Sequence, residues 1–174
     1  MCIIAVKPAG ASVTDHWDWL DNCWKRNPNG GGLMFPDSGA IRCVKGFMPW
    51  PAMSDWIKRS ASALKPRQVA FHFRIATHGD VNAANTHPFP ITHKQARLVK
   101  RDTHSRHAFM HNGILVGLVD RQAADSDSLV FARDYLAPFG DAVTETPLRQ
   151  VLTALGGSNK FAIMSAGKGT YLMG

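Results

Sequence analysis

The chain has 174 residues, of which 45% are hydrophobic, so it can bury one core and is too short for two ordinary domains. No segment approaches the roughly 20 apolar residues of a membrane span, and the N-terminus lacks the order of a signal peptide, so we expect a soluble, cytoplasmic protein. The formal net charge of +7 is scattered along the chain. The densest basic patch, residues 94–106, is typical of a solvated surface, with an acidic partner, tRNA or DNA as the alternative.

Cysteine and histidine usage bears on disulfides and metals. The three cysteines, Cys2, Cys23 and Cys43, are odd in number and show no CxxC spacing, which favours free thiols. His104 and His107 are three residues apart, but no predicted helix and no matching carboxylate or cysteine accompanies them. The sequence therefore predicts no metal site and no cofactor.

The first half of the chain alternates short strands with helices. Residues 3–6 are continuously apolar before a Pro-Gly turn, which predicts a buried strand. Apolar residues at helical spacing predict a helix that stops near Asn27-Pro28, and they are Val13, Trp17, Leu20 and Trp24. Beyond a Gly-rich loop we expect strands at 33–35 and 40–44, a helix at 51–64 and a strand at 69–74 that places Arg74 at its end.

The second half mixes strands and helices in the same way. Residues 92–106 are polar and aperiodic, which predicts a hairpin or a flexible loop. We expect strands at 108–110 and 114–119 around a tight turn at His111-Asn112-Gly113, helices at 126–136 and after Thr146-Pro147, and a terminal hairpin of strands 161–164 and 170–173. Antiparallel strands mixed with separate helices predict one α+β domain over residues 1–174.

Cys2 follows the initiator Met1, and removal of Met1 would leave a thiol and a free α-amino group on one residue. An α-amine titrates near pH ~8 and a thiol near ~8.5, so the two groups can exchange a proton at neutral pH without a histidine. Nucleophile and general base could thus belong to the same residue. A cysteine at position 2 is also an ordinary start for a buried strand, so the position alone does not decide.

Four later segments, in this order behind Cys2, resemble class II glutamine amidotransferases, the N-terminal-nucleophile (Ntn) hydrolases that release ammonia from glutamine. The segments are residues 71–79, 85–89, 111–114 and 126–128. The resemblance extends nearly end to end. It implies an Ntn-hydrolase fold, a four-layer αββα sandwich in which two antiparallel sheets lie between helices, and it implies glutamine as the substrate.

The resemblance also implies a role for each candidate residue. Cys2 attacks the amide and forms a glutamyl thioester, while Asn112 and Gly113 donate hydrogen bonds to the oxyanion. Arg74 binds the α-carboxylate of the substrate, a role suited to a planar guanidinium, and Asp127 binds its α-ammonium group. The loop residues that help to shape the glutamine pocket are Thr77, His78 and Gly79.

Two positions depart from the family pattern. Leu129 stands where the family often has Glu, in the motif Asp127-Ser128-Leu129. The missing Glu affects how the Asp127 carboxylate is positioned, but not its charge. Ile3 stands where many members have Gly directly after the cysteine. The side chain of Ile3 limits close approach to the backbone beside the thiol, and we therefore expect it to alter the shape of the pocket.

The leading hypothesis is a minimal glutaminase domain, because no segment is left to act as the synthase that consumes the ammonia. We therefore expect a separate ammonia-accepting synthase as partner. Two alternatives stay open. One is an Ntn amidase that acts on another γ-glutamyl or amide substrate, and the other is a non-catalytic binding protein on the same fold.

Overall fold

A computed structural model describes residues 1–120 and 122–174 of the chain. Its nine strands are β1 (Ile3–Lys7), β2 (Gly31–Asp37), β3 (Ala40–Phe47), β4 (Val69–Phe73), β5 (Phe89–Pro90), β6 (Asp102–Ser105), β7 (His107–Asn112), β8 (Lys160–Ser165) and β9 (Gly169–Met173). They form a five-stranded sheet in the order β1-β4-β2-β3-β6 and a four-stranded sheet in the order β5-β7-β8-β9. Every pairing described is antiparallel.

Five α-helices accompany the sheets in the described residues. They are α1 (Trp17–Arg26), α2 (Trp50–Leu64), α3 (Gln95–Leu98), α4 (Asp127–Val130) and α5 (Thr146–Ala154). After α4 the chain stays helical through a π-helical segment, Phe131–Leu136, and a 3₁₀ segment, Ala137–Thr144. Within the part of the chain described, no helix is both long and apolar enough to cross a membrane.

Three apolar clusters show how these elements are layered. One packs α1 and α2 on a face of the five-stranded sheet and includes Trp24 and Ile57. Another packs the helices from α4 to α5 on a face of the four-stranded sheet and includes Leu129 and Phe161. The third lies between the sheets, and its buried members are Met34, Ile41, Cys43, Ala70, Ala108, Met110, Ala162 and Met164. The α+β prediction is therefore confirmed, with two antiparallel sheets that pack on each other and helices on their outer faces.

Strand alternation decides which side chains reach the layer between the sheets. On β4, Phe71 and Phe73 belong to the cluster under α1 and α2, whereas Ala70 belongs to the cluster between the sheets. His72 continues the inner face, and its Nε2 lies 3.0 Å from the carbonyl oxygen of His111 on the other sheet. Because side chains alternate with a period of two, Arg74 extends the same inner face beyond the strand end.

Most of the strand and helix predictions are confirmed. The predicted strands at 3–6 and 69–74, the helix at 51–64 and the terminal hairpin correspond to β1, β4, α2 and the β8–β9 pair. The helical prediction for 126–136 corresponds to α4 and the π-helical segment that follows it.

The predicted strand at 114–119 is wrong. These residues form no strand, because β7 already pairs with β5 on one side and with β8 on the other. The backbone N–H of Leu115 instead donates to Oδ2 of Asp127 at 2.8 Å.

The prediction of a hairpin or flexible loop at 92–106 is wrong as well. This segment contains α3, and it contains β6, which pairs with β3 and forms an edge of the five-stranded sheet. Arg42 on β3 holds the Asp102 carboxylate of β6 through Nε at 3.0 Å and Nη2 at 2.7 Å.

A strip of buried polar side chains adjoins the apolar cluster between the sheets. Lys45 is 1% exposed, and its Nζ donates to the Ala84 carbonyl at 2.8 Å and lies 4.0 Å from the centre of the Phe89 ring. Burial lowers the pKa of Lys45 to about 7. The buried rings of His72 and His87 stack with their centres 3.9 Å apart. Burial lowers the pKa of both rings, that of His72 to about 3, so both are neutral at pH 7.

Replacing Lys45 with Met tests the cost of this buried amine. An unfolded lysine binds its proton below its ordinary pKa of 10.5, and folded Lys45 only below about 7. Between these values the unfolded state binds more protons, so the free energy of unfolding of the wild type rises with pH by up to about 1.4 kcal/mol per unit. Lys45→Met removes this rise.

Urea unfolding at pH 7, 8.5 and 10 measures the effect. We expect Lys45→Met to gain most over the wild type at pH 7 and to lose that gain as the pH approaches 10. Lys100→Met, at an exposed position, is the matched control and should keep the pH dependence of the wild type. Parallel pH curves for wild type and Lys45→Met would contradict the buried-amine interpretation.

Candidate active site

Cys2 lies directly before β1, on the side of the chain that faces the other sheet. Its thiol is partly buried and lies 3.5 Å from the carbonyl oxygen of Ile75. Burial raises the pKa of the Cys2 thiol; the positive charges of Arg74 and the N-terminus oppose this rise, and the negative charge of Asp127 adds to it. The thiol is therefore protonated at rest, and a nucleophilic role requires a base that removes its proton.

Arg74 is buried at the end of β4. Its Nη1 donates to the carbonyl of Asp80 at 2.8 Å, and its Nη2 donates to the carbonyls of His78 at 2.9 Å and Gly79 at 3.3 Å. A guanidinium has five N–H bonds, so at least two have no partner in the described residues. Among those residues Arg74 forms no salt bridge with a carboxylate.

Asp127 is the first residue of α4 and is 5% exposed. Its Oδ1 accepts from the backbone N–H of Ser128 at 2.7 Å and from the Ser128 hydroxyl at 3.2 Å. The helix cap is Ser126, whose Oγ accepts from the N–H of Leu129 at 3.3 Å. Asp127 is thus not needed as the cap, and within the described residues its carboxylate forms no salt bridge.

Two residues hold the turn at 78–80 against the start of α4. Gly79 has φ +72°, and a Cβ there would lie 2.7 Å from the backbone nitrogen of Ser126. Asn85 donates from Nδ2 to the carbonyls of Asp80 at 3.1 Å and Ala124 at 2.6 Å, and its Oδ1 accepts from the N–H of Ser126 at 2.9 Å. The carbonyls that hold Arg74 are therefore fixed relative to the helix that carries Asp127.

Asn112 and Gly113 end β7. Asn112 continues the inner face of β7 after Ala108 and Met110, and its Oδ1 is buried with no hydrogen-bond partner in the part of the chain described. Gly113 has φ +146°, and a Cβ there would overlap the side-chain oxygen of Asn159. Only glycine fits this position, because Asn159 packs directly against the backbone of residue 113. Asn159 therefore contacts the peptide that carries the Gly113 N–H.

The structure places the sequence-predicted residues in different ways. Cys2, Arg74 and Asp127 are near enough for the charges of the last two to act on the thiol. His78 and Gly79 contribute backbone carbonyls to Arg74. Asn112 is the last residue of β7, which is in contact with β1, and Gly113 follows it. Thr77 is exposed, and its side chain forms no hydrogen bond to a described residue. Leu129, at the departure from the family motif, is fully buried in the cluster under α4.

Two asparagines of the predicted turn make long-range contacts near the site, and one of them holds the N-terminus. Asn27 Nδ2 donates to the carbonyl of Met1 at 2.8 Å and to that of Phe73 at 3.3 Å. Asn29 Oδ1 accepts from the N–H of Ala76 at 3.0 Å. The Asn-Pro-Asn signal in the Gly-rich loop points to a turn but not to these long-range contacts.

The histidines at positions 104 and 107 bind different partners. His104 Nε2 lies 3.1 Å from Oδ2 of Asp37, whereas His107 contacts Ser165 and Asp141. Across residues 1–120 and 122–174, no group of three or more His, Cys, Asp or Glu side chains is placed to hold a metal ion.

A scan against protein-family models gives no match to this chain, and a search of curated proteins gives no significant match.

Substituting Gly79 tests the close approach of the 78–80 turn to α4. Gly79 and Gly167 have nearly the same φ, +72° and +73°, but only Gly79 has atoms within reach of a new Cβ. Alanine at either position must adopt the left-handed backbone conformation, which should lower the free energy of unfolding by about 1–2 kcal/mol. Gly79→Ala should lower the free energy of unfolding by about 1–3 kcal/mol more, because its Cβ meets Ser126. Urea unfolding measures both variants, and equal losses would show that the approach is not tight.

Proposed function

We propose that the protein is a class II glutamine amidotransferase domain of the Ntn-hydrolase type, which hydrolyses glutamine to glutamate and ammonia through Cys2. One observation carries the proposal. A buried guanidinium and a buried carboxylate, neither in a salt bridge with a described residue, both exert their charge on the thiol of residue 2. Burying two such charges is costly, which favours a functional reason for their position.

The pair of charges matches the backbone of a free amino acid. Arg74 has N–H bonds to spare for an α-carboxylate, and a guanidinium can bind a carboxylate through two hydrogen bonds. Asp127 keeps acceptor capacity for an α-ammonium group, because a carboxylate offers about four lone-pair sites and three hydrogen bonds occupy it. With its α-carboxylate at Arg74 and its α-ammonium group at Asp127, the amino acid would extend its side-chain amide away from the α-carbon. The proposed mechanism requires Cys2 to reach that amide.

The fold supports the same proposal. Two antiparallel sheets pack on each other with helices on both outer faces, which is the layering expected of an Ntn hydrolase. Cys2 leads β1, and Arg74 ends the strand that pairs with β1. The first strand and its neighbour thus bring the N-terminal residue and the guanidinium to one end of the sandwich.

In the proposed reaction, the free α-amine of Cys2 takes the thiol proton, and the thiolate attacks the γ-carbonyl carbon of glutamine. The carbonyl oxygen becomes an oxyanion that accepts hydrogen bonds from Asn112 Nδ2 and the Gly113 N–H. The protonated α-amine of Cys2 returns the proton to the leaving nitrogen, the C–N bond breaks and ammonia departs. Water then attacks the thioester with the same amine as base, which releases glutamate and restores the thiol.

The ammonia passes, in this proposal, to a separate synthase partner. The alternative substrate class, another γ-glutamyl amide, would use the same nucleophile and the same two charged anchors. Comparing glutamine with other amides therefore separates the two enzyme hypotheses. A binding protein without catalysis would show neither labelling of Cys2 nor turnover.

Labelling of the nucleophile tests the proposal directly. We expect the mature protein to lack Met1 and a glutamine-analogue electrophile to modify Cys2 alone, as shown by intact-protein and peptide mass spectrometry. Cys43 is fully buried and burial raises the pKa of its thiol to about 12, so it should not react. Cys2→Ala should fold and lose glutamine hydrolysis, whereas Cys43→Ala should lose stability and keep activity.

Two results would overturn the mechanism. One is full activity in Cys2→Ala, and the other is full activity in protein whose mass shows that Met1 is still present. An α-amine that is part of a peptide bond cannot act as a base.

The two charged anchors should differ in which substrate group they recognise. Asp127→Ala should lose discrimination between glutamine and an analogue without the α-amino group, and Arg74→Ala should lose discrimination against an analogue without the α-carboxylate. Each loss leaves a substrate charge unpaired in a partly dry site, which costs about 2–5 kcal/mol. Steady-state kinetics with the three amides measures these differences.

Because Arg74 also holds the 78–80 turn, its variant requires a folding control. Asn85→Ala breaks the contacts of the same turn and leaves both charges in place. If Asn85→Ala and Arg74→Ala weakened all three amides equally, Arg74 would be a structural residue and the amino-acid recognition would be wrong.

A further inference from the structure

Three side chains, those of Ser128, His111 and Asn159, join Asp127 to the backbone of Gly113. The Ser128 hydroxyl lies 3.2 Å from Asp127 Oδ1 and 2.9 Å from His111 Nδ1. On the other side of the ring, His111 Nε2 lies 2.9 Å from Asn159 Oδ1. The same Asn159 oxygen occupies the space that a Cβ at Gly113 would need. A contact at Asp127 is therefore connected, through side chains alone, to the last residue of the Asn112-Gly113 pair.

The proton count of these side chains allows two arrangements. Burial lowers the pKa of His111, so the ring carries one proton at neutral pH, and Ser128 has a single hydroxyl proton. If Ser128 donates to Asp127, Nδ1 must carry the ring proton and donate to Ser128, and Nε2 then requires a donor from Asn159. If Ser128 donates to His111 instead, Nε2 carries the proton and donates to Asn159 Oδ1. The site has one contact of each arrangement: the Ser128 hydroxyl donates to Asp127 Oδ1, as in the first, and Asn159 turns its Oδ1 toward Nε2, as in the second.

An ammonium group bound to Asp127 would favour the second arrangement. It supplies new donors to the carboxylate, so the Ser128 hydroxyl is no longer needed there and turns to His111. The ring proton then resides on Nε2, and its bond to Asn159 Oδ1 fixes Asn159 against Gly113.

We propose that His111, Ser128 and Asn159 are positioning residues that couple recognition of the substrate α-amino group at Asp127 to the placement of the Gly113 N–H. This inference rests on the proposed glutaminase function. Amino-acid recognition then raises the rate of the chemical step as well as the affinity, although none of the three residues touches the reacting atoms.

Steady-state kinetics with glutamine and with 4-carbamoylbutanoate, which lacks the α-amino group, tests the coupling. In the wild type, glutamine should have both the lower KM and the higher kcat. Asn159→Ala and Ser128→Ala should each reduce kcat for glutamine about three- to tenfold, the size of one hydrogen bond. They should leave kcat for the analogue unchanged and keep the KM difference. Asn159→Asp retains an acceptor for Nε2–H and should restore the kcat difference.

A control and a second measurement keep the test decisive. Ser158→Ala changes an exposed neighbour of Asn159 and should match the wild type. In the inactive Cys2→Ala protein, nitrogen NMR of His111 should show the Nε2–H form increasing on addition of glutamine but not of the analogue. This measurement decides the question even if Asn159→Ala does not fold.

The outcomes separate this inference from the proposed function. A wild type that hydrolyses glutamine while Asn159→Ala and Ser128→Ala slow both amides equally overturns the coupling and leaves the glutaminase function intact. An unchanged His111 tautomer on glutamine binding overturns the coupling too. A wild type that hydrolyses no amide and is not labelled at Cys2 overturns the proposed function, and the coupling with it.

Discussion

The burial of one guanidinium determines the arrangement of the site. Arg74 is 3% exposed at the end of β4, and a buried cation requires hydrogen-bond acceptors. The chain provides three carbonyls by turning sharply at residues 78–80, directly after the strand. That turn must then lie close to the start of α4, which is possible because residue 79 has no side chain. The position of Asp127 follows from the same turn.

The polar interior gives this fold a cost that an apolar sandwich would not have. Lys45, His72 and His87 are buried within one strip, and His87 has two ring nitrogens without hydrogen bonds to the described residues. Acid adds to the cost: the unfolded chain binds protons on its histidines below about pH 6.5, while the buried rings stay neutral, so stability falls as the pH drops toward 3. The layer between the sheets therefore contains buried polar side chains that lower the stability of the fold.

Sequence patterns predicted the parts of the fold that depend on local periodicity. The alternation on β4 placed Arg74 correctly at a strand end, and the predicted strands 161–164 and 170–173 match the final hairpin of β8 and β9. The failures arise from long-range competition. Residues 114–119 have strand-forming side chains, but the neighbouring strand β7 already pairs on both sides. Residues 102–105 are polar and still form β6, because β3 supplies a pairing partner. Asn159 and Asn27 resemble turn formers, since their distant contacts leave no mark on the neighbouring sequence.

The bond between Asn27 and the Met1 carbonyl makes maturation a question of timing. In the folded chain this carbonyl belongs to the Met1–Cys2 peptide bond, which the proposed mechanism requires to be cut, and the Asn27 amide already donates to it. An aminopeptidase needs that bond in its own active site, so it acts most easily before β1 pairs with β4 and the loop at 27–29 closes. In that mechanism, rapid folding and complete removal of Met1 compete with each other. If the proposed mechanism holds, protein produced faster than the aminopeptidase can work would be well folded but inactive, because its Cys2 amine would still be part of a peptide bond.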